Sequence, residues 1–300
     1  MATDQNAPAL PVVVPPEWAA AHADEVLFAD VRWYLDGRSG RDAYLAGHLP
    51  GAVFADIDTD LAAPATESGG RHPLPDPDDF AESMSALGIG DRTPVVAYDD
   101  SGGSTAARLV WLLRVLGSPA ALLDGGIDAW RGPLERGGVE PIRRERTAVP
   151  WPADRFADTA AVRAESGDQR RLLLDARVHE RYTGAAPAPV DARPGHIPGA
   201  RSAAWAGNLT ADGRFAPPER LRERFRALGA DSAETVTAYC GSGVTACLDL
   251  VALEHAGYAG ARLYPGSWSA WGADTGLPVE TGEVGGAGGI GGRGECDGGG

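Results

Sequence analysis

Four landmarks recur in the same order along this chain, and no other feature constrains its fold as much. Asp30-Val31-Arg32 returns as Asp175-Ala176-Arg177, and Gly47-His48-Leu49-Pro50-Gly51-Ala52 as Gly195-His196-Ile197-Pro198-Gly199-Ala200. Ala86-Leu87-Gly88 leading to Ala97-Tyr98 returns as Ala227-Leu228-Gly229 leading to Ala238-Tyr239. The segment closing on Trp130 returns as Tyr264-Pro265-Gly266-Ser267-Trp268-Ser269-Ala270-Trp271. Matched landmarks lie 141 to 148 residues apart, a spacing regular enough to mean a duplicated domain. Each copy alternates short strands with helices, which predicts an α/β fold with a parallel sheet flanked by helices. Strands are expected over 26–31, 94–98, 120–123, 172–175 and 235–239, and helices over 79–87, 104–116 and 244–256. Both long helices, 104–116 and 244–256, place their apolar residues mostly on one face. The expected division is a first domain over 18–132, a proline-bearing linker over 133–158 and a second domain over 159–281. Residues 1–17 read as a loose leader, and 282–300, mostly glycine, as a disordered tail.

Composition excludes several function classes. A net charge of −15 argues against a nucleic-acid partner and against an anionic membrane surface. No stretch approaches the roughly 18 apolar residues that a membrane span needs. The proline-broken start lacks the basic region of a signal peptide. Three cysteines do not make a disulfide framework, so a cytoplasmic, reduced setting is expected. The histidines are scattered and no Cys-x-x-Cys occurs, so neither a metal nor another cofactor is expected.

The chemistry concentrates at Tyr239-Cys240-Gly241-Ser242-Gly243-Val244-Thr245-Ala246-Cys247. Here a β-rich run ends in a cysteine and a helix follows a glycine-containing turn. Backbone N–H groups at a helix start have no intrahelical partner, and the helix dipole adds positive character. Both favour a thiolate, or an anion bound beside it. Cys240 is therefore the expected nucleophile, in preference to a buried structural cysteine. Cys247, two turns on and on the apolar side, is expected to pack in the core, and Cys296 to be a bystander thiol in the tail.

Two tandem halves, each with Asp-x-Arg, Gly-His-(Leu/Ile)-Pro-Gly-Ala and a Gly-(Gly/Ser)-x-x-Ala-Trp close, resemble the two-domain rhodanese-type sulfurtransferases over roughly residues 26–278. The Cys240–Ala246 loop is similar to the form typical of 3-mercaptopyruvate sulfurtransferases; thiosulfate-using members usually carry two basic residues after the cysteine. The resemblance implies tandem rhodanese domains, a Cys240 persulfide, and transfer of sulfane sulfur from an anionic donor to a thiol such as thioredoxin, or to cyanide. It further implies a relay of Ser242, His72 and Asp58, with Asp56 as the fallback in another register, and donor binding by Arg181 and the loop residues Gly241, Gly243, Val244 and Thr245. The second arginine common in mercaptopyruvate enzymes falls here on Pro189 or Val190, and Arg193 is the expected substitute. Asp99 stands where Cys240 stands in the second half. A carboxylate cannot accept sulfane sulfur, so the first half is expected to be catalytically inactive.

Asp30, Arg32, Asp175 and Arg177 are expected to tie sheet to loops. His48 and His196 are given a fold role because one occurs in the half with no nucleophile. The tryptophans are expected to pack, with Trp268 placed at the cleft. Of three rival readings, the sequence argues strongly against the first. A cysteine phosphatase needs an arginine closing its loop, and none lies from Gly241 to Leu250. Thiosulfate is the competing donor, and a non-catalytic sulfur-binding module is the reading of another class.

Overall fold

The strongest apolar runs of each half form a parallel sheet in the computed structural model, which describes residues 10–283. In the first half the strands are β1 (Val13–Val14), β2 (Leu27–Asp30), β3 (Val53–Phe54), β4 (Val95–Tyr98) and β5 (Ala120–Leu123), in the order β1-β5-β4-β2-β3. In the second half β6 (Arg171–Asp175), β7 (Arg201–Ser202), β8 (Thr235–Tyr239) and β9 (Arg262–Leu263) are ordered β7-β6-β8-β9. Read from the other edge, this is the first sheet's order with β9, β8, β6 and β7 standing for β5, β4, β2 and β3. All pairings are parallel. Residues β4 and β8 are buried almost throughout, as expected of central parallel strands covered on both faces.

The helices are α1 (Pro16–Ala21), α2 (Gly40–Ala46), α3 (Pro77–Ala86), α4 (Ala106–Val115) and α5 (Gly126–Ala129), then α6 (Thr159–Glu165), α7 (His179–Thr183), α8 (Pro218–Ala227), α9 (Ala246–His255) and α10 (Ser267–Trp271). Proline at the first position starts α3 and α8, where a missing N–H costs nothing. Helices α4 and α9 pack against each other between the two halves. Ala106–Leu113 and Ala246–Leu253 are buried without a break, Arg108 and Asp249 included, so these helices are covered around their whole circumference rather than on one face. Arg114 of α4 pairs with Glu254 of α9 at the edge of this contact.

The repeated motifs are clasps. Arg32 grips the Asp30 carboxylate and donates to Gly47 O at 2.7 Å; Arg177 does the same with Asp175 and Gly195 O, also at 2.7 Å. His48 and His196 each stack on the tyrosine of the preceding helix, Tyr44 and Tyr182, and each Nδ1 bonds that tyrosine's carbonyl. Both histidines hold the strand-following turn in place.

Two stretches differ from expectation. The supposed leader contains β1, with Val13 registered on Leu122 and Val14 on Leu123. A two-residue strand carries no alternation to read, and its flanking prolines are tolerated because it lies at the sheet edge. At the other end, the first residues of the supposed tail are held: Gly282 N donates to Thr183 O and Glu283 meets His179. The rest of that tail, with Cys296, lies outside the described residues. The segment joining the halves forms one short 3-10 turn, Ala153–Arg155, and is anchored by Trp151 Nε1 donating to Pro75 O and by Arg143 paired with Glu82.

Candidate active site

Strand β8 delivers Cys240 to the bottom of a turn that ends where α9 begins, at Ala246 rather than at Val244. The later start leaves the loop amides free of the helix. Among the N–H groups of Gly241 to Ala246, that of Gly243 alone has an acceptor among the described residues, and the acceptor is Cys240 Sγ at 3.1 Å. Gly243 lies at φ +78, and a Cβ there would stand 2.7 Å from Pro265 O, so the turn requires glycine.

The first half shows what such a turn holds. Asp99, at the end of β4, places its carboxylate into the equivalent ring. Ser101 N and Gly103 N donate to Oδ1, and Thr105 N, Ala106 N and Thr105 Oγ1 donate to Oδ2, at 2.7–2.9 Å. The first-half cradle thus holds an anion that presents two acceptor atoms. In the second half the shorter Cys240 side chain leaves most of the ring unclaimed.

From the far side, the backbone of Cys240 is pinned by Ser267 and Trp268. Cys240 N donates to Ser267 Oγ at 3.1 Å, and Trp268 N donates to Cys240 O at 2.9 Å. Ser267 is the one non-glycine residue at positive φ among those described, at φ 50, where its counterpart in the first half is Gly126 at φ 57. That conformation is disfavoured for serine, and it sets the hydroxyl beneath the cysteine. Trp268 is fully buried under the loop and does not line the cleft.

The N-terminal half supplies the opposite wall. Ser242 Oγ lies 2.8 Å from His72 Nδ1, and His72 Nε2 lies 2.8 Å from Asp58 Oδ1. Trp33 Nε1 donates to Asp58 Oδ2 and fixes the carboxylate. With Nε2 carrying its proton toward Asp58, Nδ1 is left to accept from the serine hydroxyl. Burial pushes the His72 imidazolium below its ordinary pKa, more than the Asp58 hydrogen bond restores, so the ring is neutral. Asp56 instead accepts from Asp58 N, within its own turn.

Arg108 of α4 joins the two walls. Its guanidinium is fully buried and donates to Gly243 O of the loop and to Leu61 O, His72 O and Pro73 O. One cation thus positions both the loop and the histidine. Its signal in the sequence was a lone charge inside Ala106-Ala107-Arg108-Leu109-Val110-Trp111.

Arg181 and Arg193 have different fates. Arg181 lies against the loop: a Cβ added at Gly241 would stand 3.1 Å from its Nη2. It is also gripped by Asp191, which accepts from Nε and Nη2. Arg193 does not turn toward Cys240. Its guanidinium donates to Gly272 O, Leu277 O, Trp271 O and Asp274 O, closing the chain after α10. The second guanidinium at the loop is Arg71, whose Nη2 stands 3.1 Å from the same hypothetical Cβ at Gly241. Sequence reasoning passed over it as a neighbour of His72. Cys247 is buried, with its thiol pushed up to about 12 by desolvation and its Sγ donating to Gly243 O. It is a packing residue beneath the loop.

The comparisons agree with this architecture. The family model described as "Rhodanese-like domain" matches residues 15–132 and again 158–274. A probable 3-mercaptopyruvate sulfurtransferase of Pseudomonas aeruginosa is 44% identical over 266 residues, covering 86% of this chain and 93% of the relative. A putative thiosulfate sulfurtransferase of Mycobacterium tuberculosis is 40% identical over 266 residues, with 86% and 92% covered. The crystal structure of the Escherichia coli 3-mercaptopyruvate sulfurtransferase aligns with a TM-score of 0.73 at 31% identity, covering 86% of this chain and 99% of that one. Two family matches in tandem, each containing a strand-to-helix cradle, place this chain among the proteins built from two rhodanese-like domains, and it belongs to that family.

Proposed function

We propose that the protein is a sulfurtransferase that takes sulfane sulfur from 3-mercaptopyruvate onto Cys240 and passes it to a thiol, such as that of thioredoxin, or to cyanide. The observation that carries the donor assignment is the chain of hydrogen bonds Ser242–His72–Asp58 beside the nucleophile. The Cys240 thiolate attacks the donor sulfur, the C–S bond breaks, and its electron pair leaves as the enolate of pyruvate. The proton of the donor's S–H passes through Ser242 and His72 to the enolate carbon. Cys240 thiolate and mercaptopyruvate thus become the Cys240 persulfide anion and pyruvate, with atoms and charge conserved. Breaking the S–S bond of thiosulfate instead expels sulfite, a stable anion that needs no proton. A relay is useful for the first donor and idle for the second.

The persulfide anion has two sulfurs, and the N–H groups of Gly241 to Ala246 match it as the equivalent ring matches the Asp99 carboxylate. The first half, with Asp99 in its ring, acts as a wall and a source of side chains rather than as a second catalyst. A free thiol nucleophile suits a reducing, cytoplasmic setting.

The test is pyruvate release from 3-mercaptopyruvate beside thiocyanate formation from thiosulfate and cyanide, for the wild type and Cys240→Ser. Mercaptopyruvate turnover that exceeds thiosulfate turnover, vanishes in the variant and leaves one added sulfur on Cys240 supports the reading. The reverse preference removes the donor assignment. No loading by either donor removes the enzyme reading in favour of a sulfur-binding module.

A further inference from the structure

The relay joins a buried site to open water. Ser242 and His72 are 7% and 5% exposed, whereas the Asp58 side chain is 56% exposed. Between them runs one hydrogen-bonded line, Ser242 Oγ to His72 Nδ1 and His72 Nε2 to Asp58 Oδ1, each step 2.8 Å long. The line is held by groups of the first half. Trp33 Nε1 donates to Asp58 Oδ2 at 2.9 Å, and the Trp33 ring stands at 86° to the imidazole with centroids 5.5 Å apart. Arg108 Nη2 donates to His72 O at 3.0 Å. None of these contacts involves Cys240.

A neutral imidazole that can hand on a proton can also receive one. With Nε2 donating to Asp58, Nδ1 accepts from Ser242, so the hydroxyl can take a proton from a bound molecule while giving up its own. During sulfur transfer from a mercaptopyruvate, the atom brought to this loop is C3 of a 2-oxo acid, because C3 carries the sulfur that Cys240 attacks. A hydrogen on that carbon is acidified by the neighbouring carbonyl. The N–H groups of Gly241, Val244 and Thr245, which have no acceptor among the described residues, suit the charge that enolisation places on the carbonyl oxygen.

We propose that the protein has a second activity that needs no sulfur: it enolises pyruvate and related 2-oxo acids carrying hydrogen on C3, and so exchanges those hydrogens with solvent. In the step, the C3–H bond breaks and its proton goes to Ser242 Oγ as the serine proton goes to His72 Nδ1. The C–H electron pair becomes the C2–C3 double bond, and the carbonyl π pair moves onto oxygen as the enolate. The imidazolium so formed faces the Asp58 carboxylate, which opens on water, and solvent hydrogen enters the relay there. Reversal puts a hydrogen from the relay onto C3 and restores the neutral ring, so nothing is oxidised or reduced and no co-reactant is consumed. The inference rests on the 2-oxo acid donor of the sulfurtransferase reading, and it separates the chemistry of the relay from that of the thiol. Another protein route to the same exchange, an enamine formed on a lysine, is closed, because the 300 residues contain no lysine.

The test follows the methyl signal of pyruvate by proton NMR in D2O, with no sulfur donor present, for wild type, Cys240→Ser, Ser242→Ala and His72→Ala, each checked for folding by circular dichroism. Wild type and Cys240→Ser are expected to exchange the methyl hydrogens well above the protein-free rate. Ser242→Ala and His72→Ala are expected to be about 10²- to 10⁴-fold slower. No exchange by wild type above the protein-free rate overturns the inference. So does exchange that persists in either folded relay variant, or that disappears in folded Cys240→Ser. If one relay variant does not fold, the other decides. Sulfur loading of Cys240 from 3-mercaptopyruvate, measured on the same wild-type preparation, keeps the two claims apart. Loading without exchange upholds the sulfurtransferase and removes the enolising activity; relay-dependent exchange without loading does the reverse.

Discussion

Removing the serine hydroxyl at the loop should separate the two sulfur donors. In Ser242→Ala the 2.8 Å bond to His72 is lost while the backbone of the cradle, the Gly243 N–Sγ contact and the Arg108 clamp stay as they are. Both bonds of the relay have full-strength length, so the resting geometry is already suited to proton transfer. A positioned acid–base group contributes about 10²- to 10⁴-fold, or roughly 3–5 kcal/mol of barrier. Single-turnover loading of Cys240 from 3-mercaptopyruvate should slow by that factor in Ser242→Ala and in His72→Ala. The double variant should be little worse than either single one, because the two act as one chain. Loading from thiosulfate should change by less than about tenfold, since sulfite leaves without a proton. The pH profile adds a second constraint. The neutral imidazole is the active form, and burial holds its pKa below the ordinary 6.5, so the acid limb of mercaptopyruvate loading should fall below pH 6.5. Equal slowing with both donors, or an acid limb at or above 6.5, would refute the relay argument.

Other outcomes follow from the same structure. Cys247→Ala should leave sulfur loading intact, and native alkylation at pH 8 should modify Cys240 before Cys247, whose thiol is held protonated by burial up to a pKa of about 12; mass spectrometry of the peptides decides this. Arg177→Met leaves the buried Asp175 carboxylate without its ion pair and should cost about 3–5 kcal/mol in urea unfolding. Asp249, buried on α9 with its pKa raised to about 7 by desolvation, binds its proton more tightly folded than unfolded. Its contribution is therefore fully present below pH 3.8 and is lost as pH rises toward 7, and Asp249→Asn should flatten the stability profile over that window. Ser267→Gly removes both the unfavourable φ and the hydroxyl under Cys240. It should keep the fold while slowing loading, read by the rate of persulfide formation at saturating donor.

Much of this architecture is legible in the sequence. The duplication followed from spaced landmarks, and the strand-to-helix turn at Cys240 from local chemistry, because both are features of contiguous residues. The two-residue strand at Val13 was not legible, since pairing with Leu122 is its only distinguishing property. Arg108 and Arg71 were missed for a related reason. Each matters through carbonyls of the other half, at Gly243 and Val190, and nothing near them in sequence announces those partners. Arg193 shows the converse error. Its place in the chain suggested the donor site, but direction decides what a long side chain serves, and four carbonyls behind α10 hold it. The one-faced reading of α4 and α9 failed because periodicity cannot foresee that two copies of a domain will bury these helices against each other.

The Ser242–His72 bond joins residues 170 positions apart, one from each copy of the ancestral repeat. Such a bond changes what inheritance can do with the duplication. On the proposed mechanism, the half without a cysteine in its cradle is as indispensable as the one that carries Cys240, because it supplies His72 and Asp58. The two halves form a division of labour that cannot be undone by separating them. Expressed alone, the half bearing Cys240 is expected to keep a nucleophile and Ser242 without His72, and the other half to keep His72 and Asp58 with nothing to serve.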